Sequence, residues 1–369
     1  MSAALHPASA PALAQALSTP HSLPHTAADL VAQPWLASLL GVGAIMAFLT
    51  LNVLFLIWAE RKVSAWIQRR MGPTEVGPYG LFQTLADMLK LISKQLITPS
   101  HVDRPLYLLA PLVVFAPVVV AVSLFPFAPG LAVTDVDLGL LLVFAFAGLG
   151  IIGIFMAGWG SNNKYALLGA MRSVAQNVSY EIPLILSALA VVLLASHPEG
   201  VTLEAGTPSA HTVPLLGTSL AHITLAQEAQ GYWFVLVQPV AFVIYFVAAL
   251  AETNRAPFDI PEAESELVAG FHTEYSGMRF AMFFFAEYTN MLVVSMVATV
   301  LFLGGWDGPL LPGPVWFFLK TYTLLFGMIW VRWTWPRLRF DQLMRLCWGL
   351  LVPVAILNLL GAAVLAEVL

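Results

Sequence analysis

The chain has 369 residues, of which 16 are Lys or Arg and 21 are Asp or Glu, so only 10% are charged. Soluble domains carry about 25% charged residues, whereas here 59% of residues are hydrophobic and the mean hydropathy is +0.83. This composition excludes a soluble enzyme, a disordered chain and a nucleic-acid-binding protein, and it predicts an all-α polytopic membrane protein. With one cysteine, Cys347, the chain alone cannot build a disulfide framework, a zinc site or an iron–sulfur cluster.

Eight stretches have the roughly 20 mostly apolar residues that a bilayer-crossing helix requires. In chain order they are residues 35–58, 107–127, 138–159, 166–195, 233–251, 280–304, 315–333 and 343–366. The fourth is the most polar, because it contains Arg172, Gln176, Asn177 and Glu181. No internal sequence repeat relates the spans. We therefore expect eight transmembrane helices, with further amphipathic helices on the cytoplasmic side.

The positions of the basic residues predict the orientation of these spans, because Lys and Arg accumulate on the cytoplasmic side. Fifteen of the sixteen lie in residues 59–106 or in and beside the connections that follow spans three, five and seven, and Lys320 is the exception. Both termini are therefore expected outside the cytoplasm. The tail lacks the Arg of a transit peptide, which favours a bacterial inner membrane. We expect residues 1–34 to be a flexible external tail and residues 35–369 one membrane domain with cytoplasmic loops 60–105 and 252–279.

The first cytoplasmic loop contains an amphipathic pattern after two Gly-Pro breaks, at 72–73 and 77–78. Apolar residues recur at helical spacing from Leu81 to Leu96, and the opposite face carries Gln83, Asp87, Lys90 and Lys94. Such a helix is expected to lie in the membrane interface and not to cross it. Two interpretations stay open: a lipid-headgroup anchor, or a docking surface for a peripheral protein that forms one lip of an entrance from the lipid.

The second cytoplasmic loop is acidic on the side that is otherwise basic. Arg255 is the only Lys or Arg in the 23 residues from 252 to 274. The same stretch contains six acids, which are Glu252, Asp259, Glu262, Glu264, Glu266 and Glu274. If Pro261 begins a helix, Glu262 and Glu266 share a face, and partial burial would make them hold protons in common. A solvated acidic surface is the simpler interpretation. The reversal of charge sign nevertheless favours a functional site.

Two further carboxylates lie inside predicted spans. Glu181 is in the fourth span with Asn177 one turn before it, and Glu287 is in the sixth with Asn290 at i+3. A charge at the bilayer centre costs roughly 2.5–3.5 kcal/mol, and such groups usually mark an ion or proton route. The alternative is a structural hydrogen bond between helices. Together with the loop acids, the two carboxylates would form a chain from the cytoplasmic face to the middle of the membrane.

One motif is expected to be fortuitous. Residues 148–153, GLGIIG, fit G-x-G-x-x-G but lie inside the third span, without the βαβ unit of a dinucleotide site. We interpret these glycines as points of close approach between helices. The eight histidines show no metal-ligand spacing, although His272 lies next to the acidic loop. The sequence therefore indicates a proton path and a docking face, and no redox centre of its own.

Three blocks of sequence carry a resemblance to one family. They are residues 59–73 (AERKVSAWIQRRMGP), 158–170 (GWGSNNKYALLGA) and 251–268 (AETNRAPFDIPEAESELV). They resemble the H subunit (ND1 type) of respiratory complex I, the proton-pumping NADH:quinone oxidoreductase. The similarity covers essentially everything after the N-terminal tail. It departs at Gln95, where the family usually has Glu, so any docking role of that acid does not carry over.

The resemblance implies an eight-helix subunit at the foot of the peripheral arm. Its substrate would be a quinone, with ubiquinone the first choice, while the flavin and iron–sulfur clusters belong to partner subunits. Those partners would be the peripheral quinone-module subunits and the antiporter-like and small membrane subunits. The carboxylates assigned to a proton relay are Glu181, Glu252, Asp259, Glu262, Glu264, Glu266, Glu274 and Glu287. The residues assigned to the quinone tunnel or arm interface are Glu60, Arg61, Arg70, Arg255 and Phe258.

Two other classes of function remain as alternatives. A related membrane hydrogenase complex uses a similar subunit without a quinone, and the length of the first block argues against it. A stand-alone ion transporter commonly shows internal repeats and spans broken by Gly or Pro in both halves. This sequence shows neither feature. The proton-translocating oxidoreductase subunit is therefore the favoured interpretation.

Overall fold

A computed structural model describes residues 34–129, 131–133, 136–196, 218–260 and 268–368. Contacts divide the chain after Ala44. Of the first unit, Met1–Ala44, only the start of the first helix is described. Every contact discussed below lies within the second unit, Ile45–Leu369. The predicted external tail, residues 1–34, lies almost wholly outside the described residues.

The described chain is a set of apolar helices, and the predicted all-α membrane fold is confirmed. Seven of its helices are long and apolar enough to cross a membrane. The described α-helices begin with α1 Pro34–Ile67, α2 Gln83–Ser93, α3 Arg104–Ser123, α4 Gly139–Gly160, α5 Lys164–Ala195 and α6 Leu220–Gln230. They continue with α7 Phe234–Val237, α8 Pro239–Glu252, α9 Met278–Phe302, α10 Gly313–Thr334, α11 Phe340–Leu346 and α12 Val352–Val368.

The fifth predicted span differs from the prediction. Instead of one helix over 233–251, the structure has the four-residue α7 and the 14-residue α8, separated at Gln238. Proline at position 239 lacks an N–H and disfavours helical geometry at the residue before it. Gln238 accordingly leaves the helical region, with φ −122° and ψ 54°. At about 1.5 Å per residue, α8 alone is shorter than the spans on either side.

Several short elements were not predicted from the sequence. Strands β1 Pro126–Ala128 and β2 Leu131–Ala132 form an antiparallel pair after α3, and α6 lies in the connection before α7. A π-helical turn, Cys347–Leu351, joins α11 to α12. The predicted amphipathic helix is confirmed as α2, but it ends at Ser93 instead of Leu96. Arg61 Nη1 donates to Asp87 Oδ2 over 2.7 Å and so connects α2 to α1.

The G-x-G-x-x-G segment in α4 contains one clear point of helix contact. A Cβ added at Gly153 would lie 2.5 Å from Val114 Cγ2 and 2.8 Å from the Val114 backbone nitrogen. Only glycine therefore lets α3 and α4 approach this closely. Gly148 and Gly150 have room for a Cβ, since no atom lies within 3.4 Å of one at either position. Close helix packing thus accounts for Gly153 but does not account for Gly148 or Gly150.

Lys320, the exception to the charge pattern, caps a helix. Its Nζ donates to the carbonyls of Leu303 and Asp307 over 2.5 Å each and to that of Gly305 over 3.2 Å. The ammonium also lies 4.4 Å from the ring centroid of Trp233. The last carbonyls of a helix lack partners within the helix and carry partial negative charge. Lys320 supplies both a donor and a positive charge to the end of α9.

Replacing Lys320 with methionine is expected to lower the thermal stability of the chain. The change removes every bond of the ammonium and leaves buried carbonyls unsatisfied, at a cost of about 2–3 kcal/mol. Membranes that contain the tagged chain would be heated, extracted in mild detergent and centrifuged, and the soluble tagged chain measured. Lys90→Met, at an exposed position of α2, is the control. Equal midpoints for the two variants would contradict the assigned role of Lys320.

Candidate functional site

The end of α1 carries a buried carboxylate with several partners. Glu60 is 6% exposed, and its Oε1 accepts from Arg332 Nη1 and, over 3.4 Å, from Arg255 Nη1. Its Oε2 accepts from the Tyr288 hydroxyl over 2.7 Å. The helix continues to Ile67, beyond the apolar stretch that defines the span. It therefore carries Glu60 into contact with α9 and α10.

Arg255 joins Glu60 to a second carboxylate. It is 4% exposed, and its Nε lies 2.9 Å from Glu287 Oε1, while its guanidinium carbon lies 4.5 Å from the ring centroid of Tyr288. The turn that presents Arg255 is fixed by α5. Gln176 Nε2 donates to the carbonyls of Ala251 and Phe258, over 2.8 Å in both cases.

We call Glu60, Arg255, Glu287 and Arg332 the charge cluster. Two carboxylates and two guanidinium groups sum to zero, so each buried charge has an opposite partner. Removing one member of a buried pair costs about 3–5 kcal/mol, because it leaves an uncompensated charge in a low-dielectric interior. The cluster is therefore sensitive to any change in charge beside it.

The charge cluster forms part of the wall of a cavity of about 470 Å³, here called the outer cavity. The described wall includes Arg61, Arg70 and Val268, which are exposed, so the outer cavity reaches the protein surface there. Apolar and aromatic residues contribute as well, among them Phe280, Phe284 and Trp333. Four arginines face two glutamates in this wall, so the described lining has an excess of positive charge.

A second cavity of about 70 Å³, here called the inner cavity, lies on the other side of Glu287. One part of its wall is apolar and comes from α3 and α4, including Val118, Gly150 and Ile154. Phe271, Phe283, Phe284 and Ala286 add further apolar surface, and the polar residues of the wall are Asn177, Glu252, Thr253, Asn254, His272, Glu287 and Asn290. The volume suffices for several water molecules, and the polar side chains supply hydrogen-bond partners for them.

The predicted relay residues Glu252 and Glu181 lie on the side of the inner cavity. Glu252, at the end of α8, lines this cavity. Glu181 is half-buried beside α4, where its Oε1 lies 3.7 Å from a Cβ added at Gly148. Glu252 and Glu287 thus share the inner cavity, whereas Glu181 does not line it, and the carboxylate chain stays a prediction.

Asp259 and Phe258 lie apart from both cavities. Asp259 Oδ2 accepts from Arg337 Nη2 over 2.6 Å. Burial raises the pKa of Asp259 above its usual value, although Arg337 and two other arginines act to lower it. Phe258 is buried, with its ring centroid 5.5 Å from that of Tyr180. Neither residue lines the outer or inner cavity, so these contacts point to positioning of the loop.

Glu274, another predicted relay residue, makes contacts typical of a structural group. Asn163 Nδ2 donates to Glu274 Oε1 over 2.7 Å, while Asn163 Oδ1 accepts from the Tyr165 N–H and caps α5. The Glu274 carbonyl accepts from the Tyr107 hydroxyl, and the Tyr107 and Tyr275 rings stack at 4.3 Å. Glu274 lines neither cavity. Its described contacts therefore fasten the loop to α3 and α5.

The remaining predicted residues fall into two groups. Arg61 and Arg70 line the outer cavity, and their assignment to the tunnel or arm interface stays a prediction. Arg70 Nε also donates to Gln68 Oε1 over 2.6 Å. Three predicted relay residues, Glu262, Glu264 and Glu266, lie outside the described residues.

Sequence reasoning missed three residues of this site. Arg332 contributed only to the orientation argument, although an arginine at the end of a span is a candidate partner for a buried acid. Tyr288 directly follows Glu287 in a segment that also resembles the family, but no feature of the sequence assigned it a role. His272 was noted only as a neighbour of the acidic loop. It lines both cavities.

Comparison with known proteins identifies the family. A family model described as NADH dehydrogenase matches residues 40–363, which include every residue of the two cavities. The chain belongs to the NADH dehydrogenase family. The predicted resemblance is therefore confirmed at the level of the family.

Relatives of this NADH dehydrogenase family chain carry a more specific name, the H subunit of NADH-quinone oxidoreductase. The relative from Dehalococcoides mccartyi (strain CBDB1) is 46% identical over 329 residues, which are 89% of this chain and 87% of that protein. The protein of the same name from Carboxydothermus hydrogenoformans is 46% identical over 325 residues, 87% of each chain. That from Desulfotalea psychrophila is 43% identical over 320 residues, 86% of this chain and 93% of that protein.

Proposed function

We propose that the chain is a membrane subunit of a proton-translocating NADH:quinone oxidoreductase. In this proposal it forms a wall of the quinone tunnel and couples quinone reduction to proton translocation through its carboxylates. It contributes no redox centre, and the flavin and iron–sulfur clusters belong to partner subunits. The names of the relatives support the complex, and the two cavities support the division of roles within this chain.

The outer cavity is proposed as the part of the chain that faces the quinone. Its volume of about 470 Å³ lies within the range of small-molecule pockets, which combine apolar walls with a few polar groups. Aromatic residues offer contact to a quinone ring, and arginines offer donors to its carbonyl oxygens and to negative charge formed on reduction. Ubiquinone is the quinone that we favour.

One observation carries the coupling proposal: Arg255 contacts both Glu60 and Glu287, and Glu287 lines both cavities. Reduction of a quinone adds two electrons and takes up two protons. Negative charge that forms in the outer cavity attracts Arg255 and Arg332 and weakens their pairing with the carboxylates. Glu287, losing its partner, then favours proton uptake on the side of Glu252 and Glu181. Those carboxylates pass the bias to adjacent antiporter-like subunits.

The proposed setting follows the charge pattern of the sequence. The connections that carry Arg61, Arg255 and Arg337 face the cytoplasm of a bacterium, both termini lie outside it, and the chain sits in the inner membrane. The peripheral quinone-module subunits then dock on this face beside α2, and the antiporter-like and small membrane subunits pack laterally. Residues 1–34 form an external tail, and residues 35–369 form one membrane domain with loops 60–105 and 252–279.

Glu252→Gln and Glu181→Gln test the proposal. A neutral amide cannot bind and release a proton, so each variant is expected to lower proton-coupled quinone reduction by about 100-fold or more. NADH:quinone reduction, NADH:ferricyanide reduction and protons pumped per NADH would be measured in membranes. Ferricyanide takes electrons upstream of quinone, so its reduction should persist and report an intact peripheral arm.

Glu228→Gln, an exposed acid of α6, is the matched control and should behave like the unmodified protein. The relay proposal fails if both Glu252→Gln and Glu181→Gln leave the pumped-proton yield unchanged. A loss of ferricyanide reduction as well would point to failed assembly of the complex and not to a relay.

A further inference from the structure

Among the described residues, three line both the outer and the inner cavity. They are His272, Phe284 and Glu287. The partition between the cavities is therefore built from an imidazole, a phenyl ring and a carboxylate. The carboxylate is engaged with Arg255 over 2.9 Å. His272 is the remaining titratable group of the partition.

His272 sits in an aromatic environment that offers it no hydrogen-bond acceptor at Nδ1. It is 7% exposed, and its ring centroid lies 4.9 Å from that of Phe271, 5.2 Å from Phe280 and 6.0 Å from Phe284. Its Nδ1 is buried without a hydrogen bond in the described part of the chain. Buried polar atoms are usually hydrogen-bonded, and the exceptions call for an explanation. Among the described residues, His222 Nδ1 in α6 is likewise buried without a bond, so the feature that distinguishes His272 is its place in the wall of both cavities.

We propose that His272 carries protons through the partition, from the outer cavity to the carboxylates of the inner cavity. An N–H bond forms on the imidazole as an O–H bond of a hydronium ion in the outer cavity breaks and leaves a water molecule behind. The proton is then passed to Glu252, directly or through water, as an N–H bond of the imidazolium breaks and an O–H bond forms on the carboxylate. No electron is transferred in this step. The inference rests on the proposed function and adds a residue to it.

The charges around His272 make its proton affinity depend on the charge cluster. Burial lowers the pKa of His272 below its ordinary value, and the charge of Glu287 acts in the opposite direction. The neutral imidazole is thus favoured while Arg255 compensates Glu287, and protonation is favoured when Arg255 is drawn away. The charged and titratable groups that line the two cavities with it are Glu60, Arg61, Arg70, Glu252, Arg255, Glu287, Tyr288 and Arg332.

Two substitutions in the assembled complex separate proton transfer from packing and from hydrogen bonding. His272→Phe keeps an aromatic ring among aromatic neighbours, and His272→Gln keeps a polar amide. Neither side chain can bind and release a proton at neutral pH. The proposal predicts that both lower NADH:quinone reduction and proton pumping by about 100-fold or more, as for loss of a general acid–base group. NADH:ferricyanide reduction should stay unchanged. A role in packing predicts normal activity for His272→Phe, and a role in hydrogen bonding predicts it for His272→Gln.

A third variant tests the proton directly. His272→Ala leaves space for a small base from solution, and imidazole is expected to restore part of the activity. The less basic 1,2,4-triazole, which has nearly the same size and shape, should not. His222→Phe, at a half-buried histidine of α6 that lines neither cavity, is the control and should leave all rates unchanged.

Each outcome has a defined meaning. Wild-type quinone reduction and pumping in either His272→Phe or His272→Gln overturns the inference. So does equal rescue by the two azoles, or no rescue of an assembled His272→Ala complex. If Glu252→Gln and Glu181→Gln uncouple the enzyme while the His272 variants do not, the inference falls and the proposed function stands. If all of these variants pump normally, both fall.

Discussion

Arg255→Met is expected to abolish NADH:quinone reduction while NADH:ferricyanide reduction persists. Methionine fills much of the same space but leaves Glu60 and Glu287 facing each other in a buried site with one guanidinium between two carboxylates. Loss of one partner of a buried pair costs about 3–5 kcal/mol, which corresponds to at least a hundredfold change in an equilibrium. Both activities would be measured in membranes that contain equal amounts of the chain.

Two companion variants show which property of Arg255 matters. Arg255→Lys keeps the charge but lacks the planar fork that reaches two carboxylates at once, so an intermediate rate is expected. Arg345→Met removes an exposed arginine of α11 and should match the unmodified protein. If Arg255→Met retains wild-type quinone reduction, the charge cluster is not part of the coupling machinery.

Gly169→Ala is expected to disturb the same site from a distance. An added Cβ would lie 2.9 Å from the Cα of Gly270 and 3.1 Å from both the carbonyl carbon of Gly270 and the nitrogen of Phe271. These are backbone atoms, so the turn Gly270–His272 must move away from α5. Because that turn presents His272 to both cavities, we expect quinone reduction to fall by up to about 100-fold, the loss that misplacement of a functional group by about 1 Å can cause.

Gly361→Ala is the matched control for this variant. Gly361 lies in α12, also a helix, and no atom lies within 4 Å of a Cβ added there. Alanine is a better helix former than glycine by about 1 kcal/mol, so this variant should be neutral or slightly stabilised. Equal quinone reduction rates for Gly169→Ala and Gly361→Ala would show that the position of the turn is unimportant.

Hydropathy predicted the spans well because it measures the property that the membrane selects. It failed at Pro239, where the apolar run continues but the backbone cannot. The same proline was visible in the sequence, yet proline within a helix is common in membrane proteins. Pro111 and Pro117 lie inside α3 without dividing it. Which proline interrupts a span depends on the packing around it.

The site was predicted as a set of residues but not as an arrangement. Glu60 contacts Arg255 across 195 residues and Arg332 across 272. Such pairings depend on the rotation of each helix about its axis, which hydropathy does not determine for helices that are apolar on all sides. For Glu274, the described contacts differ from those that its position in the sequence suggested. Its place in an acidic loop suggested a relay, whereas Asn163 and the start of α5 account for its described contacts.

Because the charges of the charge cluster sum to zero, the cluster responds to any charge that is added beside it. Its four members balance one another, while Arg61 and Arg70 at the exposed rim of the outer cavity are screened by solvent. A singly charged anion that forms in the outer cavity leaves one charge of the charge cluster without a partner of opposite sign. In a low-dielectric interior the least costly remedy is one proton. Under the proposed coupling, a site balanced in this way would link arriving negative charge to the uptake of protons without needing a redox group of its own.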